Sequence, residues 1–112
     1  MAVRKRSQVR DVLSRQQVEM AARMFNVLAD PTRLRIIHEL LGGERTVTAL
    51  ARSAGITQSA ASHQLAKLRD LDMVTTRREG PAVHYGLATE HVETFFREAL
   101  YHADHAVSGT RH

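Results

Sequence analysis

Seven histidines stand in this chain: His38, His63, His84, His91, His102, His105 and His112. Three of them, His91, His102 and His105, share one stripe of a single helical segment. At 100° per residue, the step from His91 to His102 leaves about 20° and the step to His105 leaves about −40°. Imidazole nitrogens so placed are a donor set for a divalent metal ion. One chain cannot close that site. Eleven residues at about 1.5 Å rise put His91 roughly 16 Å from His102. His102 and His105, at i and i+3, are neighbours. The arithmetic closes when two copies of the helix pack antiparallel. His91 of one copy then meets His102 and His105 of the other, and two-fold symmetry gives two equal sites. Three surface histidines on a solvated face are the bland alternative at this point.

A second group carries different chemistry. Gln58, Ser59, Ser62, His63 and Lys67 fall on the outward positions of one helical segment. Short polar side chains on the first turns of a helix suit insertion into the major groove, where Gln, Ser and His reach base edges. Its N-terminus offers free N–H groups and a positive dipole to a phosphate. Further on, Arg77, Arg78 and His84 surround Gly80. Cations at a hairpin tip suit the neighbouring minor groove or backbone. Taken alone, the first of these is equally well a solvated helix face.

The elements that must position these groups follow from caps and periodicity. Ser14 caps a helix over about residues 15–29, with Gln17 at the capping-box position and Val18, Ala21, Ala22, Phe25 and Leu28 as its apolar stripe. Asp30-Pro31 starts the next helix, to about Leu41, with Leu34, Ile37 and Leu41 inward; Gly42-Gly43 ends it. Thr46 caps a short helix holding Val47, Leu50 and Ala51, and Ala54-Gly55-Ile56 turns the chain. Thr57 caps a helix over about 58–70, with Ala61, Leu65 and Leu68 inward. These two short helices and their glycine turn fit a helix-turn-helix. Met73–Arg78 and Ala82–Leu87 read as a hairpin about Glu79-Gly80-Pro81. Thr89 caps a last helix to about Val107, with Val92, Phe95, Phe96, Ala99, Leu100 and Ala103 apolar. Phe95, Phe96 and Leu100 are expected to form an exposed patch that a second copy covers. The fold class is thus mainly α with a small β-hairpin, dimeric through its first and last helices. Residues 1–14 are expected as a basic flexible arm, 15–107 as the domain and 108–112 as a tail.

Charge supports this division. Residues 1–87 hold fourteen Lys/Arg against eight Asp/Glu, a net +6, whereas 88–106 are net −3. A positive first three quarters points to a polyanion. The chain has 112 residues and no cysteine. That excludes a disulfide scaffold, a thiolate zinc finger and a cysteine nucleophile. No apolar run approaches the ~18 residues of a membrane span. A soluble cytoplasmic protein is therefore expected. No His-Glu-x-x-His, Gly-x-Ser-x-Gly or phosphate loop occurs, so an enzyme is not expected.

Leu28-Ala29-Asp30-Pro31-Thr32-Arg33-Leu34-Arg35-Ile36, then Gln58-Ser59-Ala60-Ala61-Ser62-His63-Gln64-Leu65-Ala66-Lys67-Leu68-Arg69, together with the hairpin, resemble the ArsR/SmtB metal-responsive regulators. The resemblance spans about residues 18–106. It implies a homodimeric winged helix that binds double-stranded operator DNA and changes affinity with an inducer, with Ser59, Ser62 and His63 in the groove. Arg33 reads instead as a fold-stabilising or ion-paired residue. One branch of the family binds metal between paired C-terminal helices through Asp-x-His and His-x-x-His. Here the corresponding residues are Thr89-Glu90-His91 and His102-Ala103-Asp104-His105. Threonine replaces the aspartate, so the remaining ligand falls to Glu90, Asp104, Thr89 or water; Asp104 lies about 140° round the helix from His91. The family's cysteine site would fall on Thr46-Val47-Thr48, which has no thiolate. Nitrogen and oxygen donors suit Ni(II), Zn(II) or Co(II). Loss of the aspartate ranks Ni(II) just ahead of Zn(II). The expected function is a metal-responsive repressor released from its operator. The competing reading is a metal-independent dimeric winged-helix regulator, an activator included, answering another ligand or partner.

Overall fold

The computed structural model describes residues 12–109. Most of the expected basic arm, and the tail beyond Gly109, lie outside them. Five helices and three short strands follow in the order α1 (Arg15–Leu28), α2 (Pro31–Leu40), β1 (Arg45–Thr46), α3 (Val47–Ala54), α4 (Gln58–Asp70), β2 (Val74–Glu79), β3 (Ala82–Leu87) and α5 (Glu90–Ser108). No helix among the described residues is long and apolar enough to cross a membrane.

Each helix starts on the cap that its sequence supplies. Ser14 Oγ accepts from the Gln17 amide at 3.1 Å, and Gln17 Oε1 accepts from the Ser14 amide at 2.7 Å. That reciprocal pair satisfies two otherwise orphan donors. Asp30, Thr46, Thr57 and Thr89 each accept from the amide three residues on. Such caps typically contribute about 1 kcal/mol each. The helix α4 ends on Asp72 at φ 56, where the amides of Asp72 and Met73 donate to Arg69 and Leu68 at 2.9 and 3.0 Å. Aspartate is among the few side chains that tolerate this left-handed position.

The core joins α2, α3, α4, β2 and α5. Ile36, Ile37, Leu50, Leu65 and Leu68 have no exposed surface, and Phe96 of α5 is 1% exposed. Full burial of such side chains stabilises by roughly 1.5–3 kcal/mol each. In α3 and α4 the inward residues are the expected Leu50, Ala51, Ala61, Leu65 and Leu68. The α2 stripe sits differently. Ile36, Ile37 and Leu40 are buried, while Leu34 and Leu41 are only half-buried.

The hairpin gains a third strand that periodicity did not reveal. The sheet order is β1-β3-β2, all antiparallel, with Arg45 opposite Tyr85 and Thr46 opposite His84. Two residues are too few to show a period of two. In the β2–β3 ladder, Arg77 pairs with His84 and Arg78 with Val83. Partners share a face, so Arg77 and His84 stand on the outer face. Tyr85 and Leu87 pack against the core, and Val83 shares their face by alternation, although all of β3 is half-buried.

The expected apolar patch is displaced. Phe96 turns into the core, and Phe95 and Leu100 are half-buried. Phe95 is covered by Phe25 of α1, ring centroids 6.1 Å apart and edge to face. The exposed apolar side chains are instead Val12, Leu13, Val18, Met20 and Phe25 on and before α1, with Tyr101 and Val107 near the end of α5. No residue of α1 is buried. Met24, Val27 and Leu28 pack against the core while staying half-buried, and Val18, Met20 and Phe25 remain largely open.

Candidate DNA interface and metal centre

The turn between α3 and α4 is fixed by backbone geometry. Gly55 has φ 72, and the amides of Gly55 and Ile56 donate to Arg52 at 3.2 Å and Ala51 at 3.0 Å. This double closure needs the left-handed residue that glycine supplies without strain. It delivers Thr57 to cap α4. Gln58, Ser59, Ser62, His63 and Lys67 all emerge exposed; Ser59, His63 and Lys67 lie opposite the buried Ala61, Leu65 and Leu68, and Gln58 and Ser62 flank that stripe. The structure therefore leaves all five exposed, spread over about half of the circumference of α4. Gln58 has a partner that the sequence did not announce. Its Nε2 donates to Thr48 Oγ1 of α3 at 2.8 Å. That bond fixes the orientation of the Gln58 amide.

Wing cations divide into two kinds. Arg77 is anchored: Nη2 lies 2.8 Å from Glu44 Oε1, Nε donates to the same oxygen at 3.0 Å, and Nη1 lies 3.4 Å from Glu79. His84 Nε2 lies 3.6 Å from the same Glu79 carboxylate. The Glu44 carboxyl is held below the usual carboxylate range, chiefly by the Arg77 hydrogen bond, with partial desolvation opposing and the charges of Arg77 and His84 adding. The same hydrogen bond raises the Arg77 guanidinium. Arg78 is exposed, beside the tip at Gly80, and forms no ion pair among the described residues. Glu44 is the functional neighbour missed in the sequence. Only the sheet brings it to a residue so distant in the chain.

Arg33 is built into the fold, as its sequence context indicates. Its side chain is 13% exposed and lies 3.5 Å from Asp30. Nη1 donates to the Val27 carbonyl at 2.7 Å, and Nε donates to Gln64 Oε1.

The three histidines of the candidate metal set all lie on α5. His91 and His102 are exposed, and His105 is half-buried with its ring 4.7 Å from that of Tyr101. Among the described residues, no three His, Cys, Asp or Glu side chains of one chain gather closely enough to hold an ion. The neutral imidazole donors fit Ni(II), Zn(II) and Co(II). Two of them stand open to a partner. Thr89 is occupied otherwise, since its hydroxyl caps α5 at 3.2 Å from the Val92 amide. Glu90 stays on the first turn, where an acid also complements the helix dipole. Asp104 is exposed and borders an open groove of about 860 Å³ between α2 and α5, away from His91.

A tight turn, a helix with an open polar face and a basic-tipped hairpin define a winged helix-turn-helix domain. Residues 30–76 match the bacterial regulatory proteins of the arsR family. The HTH-type transcriptional regulator NmtR of Mycobacterium tuberculosis is 41% identical over 93 residues, 83% of this chain and 78% of that protein. A transcriptional repressor SmtB homolog of Synechocystis is 42% identical over 92 residues, 82% of this chain and 70% of that protein. The solved homodimeric winged helix-turn-helix DNA-binding domain from Mycobacterium bovis has a TM-score of 0.79 and 31% identity, covering 92% of this chain and 98% of that one. The chain belongs to the arsR family. It is a regulatory protein rather than an enzyme.

Proposed function

We propose that the protein is a homodimeric transcriptional repressor that holds a two-fold operator in duplex DNA and releases it when a divalent metal binds. The observation that carries the reading is the exposure of Ser59, Ser62, His63 and Lys67 on α4 and of Arg78 at the hairpin tip, in a chain of the arsR family. Ser62 and His63 read base edges, Gln58 and Ser59 hold the entry of α4, and Lys67, Arg77 and Arg78 serve phosphates. The two copies join through the apolar face of α1 and the end of α5. A shared two-fold axis makes the operator an imperfect inverted repeat.

His91 of one protomer, with His102 and His105 of its partner, holds the ion. Ni(II) ranks just ahead of Zn(II) and Co(II). Glu90 or water completes the ligand set in preference to Thr89, whose oxygen serves the helix cap. When bound, the ion supplies a cross-link between the paired α5 helices. These imidazoles bind only as neutral groups. Their pairing favours one packing of the two protomers, and that packing fixes the separation of the α4 helices. A ligand shifts such an equilibrium only by its differential affinity, typically about 1–3 kcal/mol or 5- to 150-fold.

Operator affinity measured by fluorescence anisotropy, without metal and at saturating Ni(II), Zn(II) and Co(II), tests the reading. At least one ion should weaken binding by roughly tenfold or more. Equal affinity in all four states would leave a metal-independent regulator.

A further inference from the structure

Arg33 occupies the third position of α2, yet its side chain serves three elements. Nη1 donates at 2.7 Å to the carbonyl of Val27, in the last turn of α1. A carbonyl there has no partner within its own helix, so the guanidinium caps α1. Nε lies 3.5 Å from Asp30, the N-cap of α2. The same Nε donates to Gln64 in the middle of α4, between His63 on the exposed face and the buried Leu65. Among the described hydrogen bonds and ion pairs, no other side chain ties α1 to α4. At 13% exposure the group is shielded from water, and a planar guanidinium fixes the direction of each bond as a lysine cannot.

We propose that Arg33 is the positioning residue through which the seating of α1 sets the pose of α4. It rests on the reading of α4 as the DNA-contacting helix and α1 as part of the dimer face. A change in protomer packing moves the last turn of α1. The guanidinium transmits that movement to Gln64, and so to His63 and Ser62 next to it. Arg33 touches no base.

Arg33→Lys keeps the charge beside Asp30 and removes the two-armed geometry; Gln64→Ala removes only the acceptor. Amide hydrogen exchange in the full-length protein is the first readout. Both variants should speed exchange in α4 by about tenfold while α3 stays as in wild type. A residue that merely caps α1 would loosen α1 alone, and unchanged α4 exchange in both variants would overturn the assignment. Gln64→Ala, which leaves the α1 cap intact, covers a failure of Arg33→Lys to fold. The second readout is the ratio of operator affinities without and with Ni(II). In both variants it should fall to within about twofold, with Ni(II) affinity unchanged, against a wild-type ratio of tenfold or more. Retention of the wild-type ratio in both variants would equally overturn the assignment. A wild-type ratio of one with Ni(II), Zn(II) and Co(II) alike would instead defeat the metal-release reading, and α4 exchange would still decide the role of Arg33.

Discussion

Arg77 and Glu44 are joined by two contacts to one carboxylate oxygen, at 2.8 and 3.0 Å, across 33 positions of sequence. The pair fastens the wing strand β2 to the residue preceding β1. Its pH dependence has a definite sign. Glu44 is held below its ordinary value, first by the Arg77 hydrogen bond. The pair therefore stabilises the wing above the unfolded glutamate value, about 4.3, and that contribution is lost as pH falls through the lowered value. The Arg77 Nε–H resonance should shift between about pH 6 and pH 3 in the wild type and stay constant in Glu44→Gln. A wild-type resonance that does not move would contradict the pairing in solution.

The two wing arginines should behave differently on DNA. Arg78 has no ion pair among the described residues, whereas Arg77 must leave or share Glu44 to meet a phosphate. Arg78→Ala should lower the salt slope of DNA binding by about 1 and weaken operator and random DNA alike. Arg77→Ala should change the slope by less. Equal slopes for the two variants would show that the Glu44 pair opens on binding.

Base reading should lie on α4. Ser62→Ala and His63→Ala should each cost about 1–3 kcal/mol against the operator and much less against random duplex. Parallel titrations of the two DNAs at one salt concentration make the comparison. Unchanged operator affinity in both variants would remove α4 from the reading role.

Much of this arrangement is legible from the chain. Ser14, Asp30, Thr46, Thr57 and Thr89 mark every helix start, because a cap is a local interaction between residues three apart. Gly55 and Gly80 mark the two turns that aim α4 and the wing. What the sequence hid is long-range. Periodicity places Phe95 and Phe96 on one apolar side but cannot tell which neighbour covers them. Phe96 went into the core and Phe95 under Phe25, leaving Val18, Met20 and much of Phe25 on α1 exposed. The contacts of Glu44 with Arg77, and of Gln64 with Arg33, depend on tertiary packing and leave no mark in spacing. Thr89 illustrates the reverse. Its cap role was plain from sequence, and its hydroxyl accepts from the Val92 amide as that reading requires.

The dimer should depend on α1. Val18 is 50% and Phe25 62% exposed, in a helix with no buried residue. Val18 and Phe25, seven residues apart, fall on one side of α1, where exposed apolar surface suits an interface. Phe25→Glu should convert the protein to a folded monomer at concentrations of about 10 µM, as read by sedimentation velocity, and abolish operator binding. A wild-type monomer under the same conditions would remove the shared metal site as well.

Mixed dimers test the central claim most directly. One chain carries His91→Ala; the other carries His102→Ala and His105→Ala. In such a heterodimer both losses fall on one site, and the other keeps His91 from the second chain with His102 and His105 from the first. Each homodimer of a variant chain should bind no Ni(II) at either site. The purified heterodimer should bind one ion per dimer and still loosen its operator. A heterodimer that binds none would contradict the intersubunit geometry on which the account rests.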